Sequence, residues 1–252
     1  MNEFLWVVYP YLCLTVLVVG TLARYNYDQI GWTSKSSELL EKRMLRTGSL
    51  LFHWGIIFVF FGHVAGLLVP IEVYQAIGIS ERMYHLGAMV MGGITGLMTL
   101  AGLALLLLRR LGVKRVLRNT APADWVALGF LIATVAMGLL MTLGYNATHL
   151  PYEYRTTVGP WIRGVLLLHP DARLMSQVPL ILQIHILTAL GLFAVSPFTR
   201  LVHVWSLPLA YLRRAPMQYR RRTAASAQGS RRRVAAKQRA GRTSAERREP
   251  HA

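Results

Sequence analysis

The chain has 252 residues, 54% of them hydrophobic and only 15% charged, with a formal net charge of +17. A water-soluble domain of this size carries about a quarter charged residues, so lipid is the expected solvent. Its single cysteine excludes a disulfide framework, and the basic excess comes without any nucleic-acid-binding fold.

A helix needs roughly 20 apolar residues to cross a bilayer. Five uncharged stretches meet that length in chain order: Phe4–Leu22, Leu50–Ile71, Met83–Leu108, Trp125–Leu150 and Leu174–Thr199. In hydrocarbon each segment must satisfy its own backbone groups, which leaves helices as the open-ended solution. The expected fold is an all-α membrane protein, a bundle of five transmembrane helices. The N-terminus Met1-Asn2-Glu3 is not a basic leader, so the first stretch is read as an uncleaved span. Between the fourth and fifth stretches, Trp161 and Leu166–Leu168 suggest a short helix at headgroup level. Residues 1–212 form the expected membrane domain, and residues 213–252 a basic, disordered tail drawn to anionic lipid. Each basic residue near such a surface contributes about 1 kcal/mol.

Positive residues mark cytoplasmic connections. Arg24, Lys35, Lys42, Arg43 and Arg46 follow the first stretch, and Arg109, Arg110, Lys114, Arg115 and Arg118 follow the third. The second connection offers only Arg82, and the fourth Arg155, Arg163 and Arg173. The expected topology puts the N-terminus outside and the C-terminus in the cytoplasm, with the second and fifth helices antiparallel.

Eight histidines occur. The second stretch carries His53 and His63, and the fifth carries His185 and His203. A lone histidine in a span commonly just hydrogen-bonds a neighbouring helix, but two on each of two antiparallel helices predict matched pairs. His53 falls level with His203 near the cytoplasmic face, and His63 with His185 toward the outside. Eighteen residues of continuous helix separate His185 from His203, about 27 Å, against about 15 Å between His53 and His63. Pro197 is expected to bend the fifth helix and help absorb that mismatch. Two imidazoles from opposite sides suit haem, and a fully ligated iron transfers electrons rather than activating a substrate. Without a cysteine attachment motif, the expected cofactors are two b-type haems.

Gly55, Gly62, Gly66 and Gly191 lie near these histidines, suited to a macrocycle or to helix contact. Arg200 is a candidate partner for a haem propionate, as are Arg109 and Arg110, although each also serves positive-inside topology. Quinol-site candidates are Gly62, Arg82 and His85, the last as a proton acceptor near the outer pair.

From about Tyr9 to Leu212 the sequence resembles the gamma subunit of respiratory nitrate reductases. The resemblance rests on FHWGIIFVFFGHVAGLLVP and PFTRLVHVWSLPLAYL, with ARYNYDQIGW and MGGITGL in support. It implies five spans and two b haems, with His53 and His203 on the cytoplasmic-side haem and His63 and His185 on the outer one. It further implies quinol oxidation near the outer haem, in a bacterial cytoplasmic membrane. The implied partners are an iron–sulfur beta subunit and a molybdenum-containing alpha subunit that reduces nitrate. Some family members carry a quinol-linked lysine before the third span, where this chain reads GISERMYHLG. Two alternatives stay open: a di-haem quinone-linked subunit of a sulfur- or disulfide-metabolising complex, and a haem-free transporter or scaffold.

Overall fold

The structure, a computed structural model, describes residues 3–28, 31–32, 37–149 and 152–205. The chain divides into two units, Met1–Ser206 and Leu207–Ala252. The second lies outside the described residues, and with it the basic tail expected from Arg213, as does Lys35.

Five helices are long and apolar enough to cross a membrane: Phe4–Tyr27, Arg43–Leu68, Glu81–Gly112, Pro122–Tyr145 and Leu180–Phe198. The expected all-α, five-span class holds, and among the described residues there is no strand. The helices exceed the apolar stretches at several ends because their caps are polar. Glu41 accepts hydrogen bonds from the Met44 and Leu45 amides before the second span. Ser80 Oγ caps Met83 at the third. At the fourth, Pro122 occupies the first turn, where its missing N–H costs nothing, and Asp124 accepts from the Ala121 amide.

The fifth span starts later than the hydropathy suggested. Ala172–Gln177 forms a tight turn, and Pro179 precedes a helix that opens at Leu180. It also stops sooner. The α-helix ends at Val195, Pro197 sits in a tight turn, and Thr199 is fully extended at φ −121°, ψ −178°. Residues Arg200–Trp205 then form a separate narrow turn. The expectation of one bent helix carrying both His185 and His203 is therefore corrected: proline denies the ladder a donor and the helix ends there.

The second span packs along the third, and the fifth packs on the first and fourth. The second and fifth make no extensive contact with each other. Close approach of the second and third spans needs missing side chains. A Cβ on Gly55 would fall 2.8 Å from the Thr99 nitrogen, and one on Gly102 would fall 2.8 Å from the Gly48 carbonyl. Near the end opposite the basic connections, Trp6, Cys13, Val158, Trp161, Val165, Met175, Val178 and Leu190 form a buried core. The short helix Val158–Leu166 exists where headgroup anchoring was expected, but Trp161 is 1% exposed. Its indole donates to the Trp6 carbonyl at 2.9 Å instead of meeting the interface. Leu166, Leu167 and Leu168 are exposed, as an interfacial position requires.

Candidate functional site

The four histidines meet in pairs, His63 of the second span with His185 of the fifth, and His53 of the second with His203 in the turn after the fifth. The His53 and His203 ring centroids lie 6.3 Å apart, and those of His63 and His185 lie 6.1 Å apart. The ring planes differ by 58° in the first pair and 28° in the second. Two imidazoles bound to one metal through facing nitrogens, each at roughly 2 Å, put their centroids about 6 Å apart. Both pairs have that spacing.

Each imidazole has its Nδ1 committed to a backbone carbonyl. His53 uses Ser49 at 2.7 Å, with Ser49 Oγ at 3.1 Å; His63 uses Val59 at 2.7 Å; His185 uses Thr134 at 2.9 Å; His203 uses Arg200. A carbonyl only accepts, so Nδ1 carries the proton and Nε2 keeps the lone pair. That is the tautomer a metal-ligating histidine needs, fixed by its second hydrogen bond. His185 reaches its carbonyl because Gly138 leaves room: a Cβ there would lie 3.0 Å from the imidazole Cε1. Among the described residues no group of three or more His, Cys, Asp or Glu side chains comes together. Each pair thus offers a metal two ligands, the number a porphyrin leaves open.

The glycines divide by role. A Cβ on Gly62, beside His63, would meet nothing within 4 Å, so that surface is open to an approaching planar group. Gly55 serves contact with the third span, and Gly66 lies under the Tyr84 and Tyr154 hydroxyls. Gly191 lies against Phe130 and Tyr9.

The arginines are largely engaged. Arg109 is buried and binds Ser37 and Glu41 through four hydrogen bonds, which pins the first basic connection. Arg200 forms a two-pronged pair with Asp124, Nε–Oδ1 at 2.7 Å and Nη2–Oδ2 at 2.8 Å. Arg110 adds a contact to the same carboxylate at 3.5 Å.

At the opposite end a polar cluster stands against Gly66, three residues past His63. His85 Nε2 lies 3.0 Å from Glu153 Oε2, and Arg155 grips Glu153 through Nε at 2.8 Å and Nη2 at 2.6 Å. Tyr84 and Tyr154 share a 2.8 Å hydrogen bond, and the Arg155 guanidinium lies 3.8 Å from the Tyr84 ring centroid. Burial pushes the Glu153 carboxyl up, but the hydrogen bonds and charge of Arg155 outweigh it and hold the group below its usual range. Arg82 is exposed on the first turn of the third span. His149 stacks on Tyr145.

Asp124 and Glu153 escape a reading of the sequence that follows histidines. A usable signal existed for Asp124, an acid at the mouth of an apolar run, which needs a partner. For Glu153 and Arg155, two residues apart in the fourth connection, nothing local distinguished them from ordinary surface charges.

The nitrate reductase gamma subunit family model matches residues 2–222. The chain belongs to the nitrate reductase gamma subunit family. It is 47% identical over 222 residues to a nitrate reductase gamma chain of Bacillus subtilis, covering 88% of this chain and 99% of that one. It is 36% identical over 218 residues to the respiratory nitrate reductase 1 gamma chain of Escherichia coli, covering 85% and 95%. A nitrate reductase-like protein of Mycobacterium tuberculosis matches at 46% over 88% of this chain, a region that makes up 34% of that longer protein. Membership in this family favours the nitrate reductase reading. With its five apolar helices, this gamma subunit is a multi-pass protein of the bacterial cytoplasmic membrane and a component of an oxidoreductase complex.

Proposed function

We propose that this chain is the di-haem cytochrome b subunit of a respiratory nitrate reductase. It oxidises quinol at the His63–His185 end and delivers electrons at the basic end to an iron–sulfur subunit. That subunit serves a molybdenum subunit where nitrate is reduced. The observation that carries this reading is the pair of imidazole couples, each about one metal's width apart, each with Nδ1 satisfied and Nε2 free. His53 and His203 would hold the haem at the basic end, and His63 and His185 the haem at the other. When bound, each haem would supply a one-electron carrier.

The chain's own groups account for the rest. The basic connections favour the cytoplasmic side, so the end bearing His85 faces outward. Quinol must lose protons with its electrons, and a positioned base is needed to take them. The Glu153 carboxylate, kept ionised by Arg155, accepts from His85 Nε2–H, which leaves His85 Nδ1 as a proton acceptor. Gly62 leaves the flank of His63 open to a flat head group, and Arg82 is free to meet it from the surface.

Rapid mixing of the membrane-embedded complex with menadiol tests this. Reduction of b-type absorbance is expected in the wild type and in His53→Ala at the outer site, and is lost in His63→Ala and His185→Ala. In His85→Phe the reduction rate is expected to fall about a hundredfold or more. A wild-type complex without b-type absorbance would refute the reading, as would haem reduction by quinol that survives His63→Ala at full rate.

A further inference from the structure

His203 differs from the other three histidines in what holds it. His53 and His63 lean on carbonyls four residues back in their own regular helix, and His185 on a carbonyl of the fourth span. His203 leans on Arg200, three residues back, in a turn beyond the point where the fifth helix has ended. No α-helical ladder fixes that carbonyl.

Side chains from other spans fix the turn instead. Arg24 of the first span donates to the Pro197 carbonyl at 2.6 Å and the Thr199 carbonyl at 3.2 Å. Thr199 Oγ1 donates to Ser196 at 3.1 Å and accepts from the Leu201 amide at 3.2 Å. The strongest tie is Asp124 on the fourth span, whose two oxygens take the Arg200 fork at 2.7 and 2.8 Å. The Asp124 side chain is only 4% exposed, and its Oδ2 also accepts from the Ala121 amide, which holds the carboxylate in place. A forked Arg–carboxylate pair fixes orientation as well as distance.

We infer that Asp124 is the positioning residue for His203: by holding Arg200, it aims the carbonyl that sets the tautomer and direction of the imidazole. Arg200 thereby acts through its backbone as well as its charge. The inference rests on the reading of His53 and His203 as axial ligands.

The test uses the full-length chain in its membrane complex, with low-spin haem EPR and a redox titration, signals being assigned with His53→Ala and His63→Ala. Asp124→Asn keeps the shape and loses the forked pair. The signal of the His53–His203 site should shift or lose intensity and its midpoint potential should move, while the His63–His185 signal stays as in the wild type. Arg200→Gln should give the same change, and the double variant no more than either alone, because both act through one link. Asp124→Glu should restore most of the wild-type signal. If Asp124→Asn does not accumulate, Arg200→Lys keeps the charge, loses the fork and is read the same way. An unchanged inner signal, equal change at both sites, or additive single effects would overturn the inference while leaving the haem reading intact. A haem-free wild type would remove both.

Discussion

Gly138 is the residue on which the His185 imidazole rests, one turn along the fourth span from the Thr134 carbonyl that binds it. A branched side chain there would drive the ring off that carbonyl. Gly138→Val is therefore expected to lose the haem at the His63–His185 site while keeping the other, read as a fall from two haems per chain to one. Retention of both would mean that the ring tolerates displacement. The four histidines themselves were legible from position and helix direction. Their Nδ1 partners were not, because three of the four are carbonyls along the helix's own turn or an irregular one, and Thr134 lies 51 residues from His185. Arg200 illustrates the limit: a basic residue at a span end reads as topology, and only the folded chain brings Asp124, 76 residues away, to meet it.

At the level of elements, the second and third spans form the tightest pair, and their contact depends on Gly48, Gly55 and Gly102. A methyl group added at Gly102 meets backbone of the second span, which cannot move aside as a flexible side chain can. Gly102→Ala should cost about 1–3 kcal/mol of stability, measurable as a lower thermal midpoint in detergent; no shift would contradict the packing account. The loop carrying Glu153 has a pH signature. Its carboxyl is held below the ordinary value of about 4.3, so the contribution of the Glu153–Arg155–His85 link is complete above that value. It is lost as pH falls through the lowered pKa. Hydrogen-exchange protection in residues 152–157, corrected for the intrinsic rate at each pH, should fall in acid for the wild type, and Glu153→Gln should show low protection already at neutral pH. Of the elements, all five spans could be read from apolar length. The break at Thr199 could not, since Pro197 announces a bend, and whether a proline bends or ends a helix depends on what the neighbours supply to its freed groups.

For the whole molecule, large apolar side chains lie exposed along every span, among them Val18 and Val19, Phe60 and Phe61, Ile94 and Leu97, Leu140 and Phe193. In water such a surface would drive association; in lipid it is the expected exterior. Basic residues gather at the His53–His203 end, which the proposal turns toward the cytoplasm. Cys13 is buried, so introduced cysteines report cleanly on sidedness. Arg82→Cys should react with an impermeant maleimide from outside intact cells, and Lys114→Cys only after lysis; the reverse pattern would invert the topology and the direction of electron flow. The claim on which the account depends is that two imidazole pairs each hold one haem. Haem per chain, assayed chemically on the purified complex with the gamma chain quantified, tests it most directly. The expected result is two b haems in the wild type and one in His53→Ala or His63→Ala; a wild type with fewer than two, or a single substitution that spares both, would contradict it.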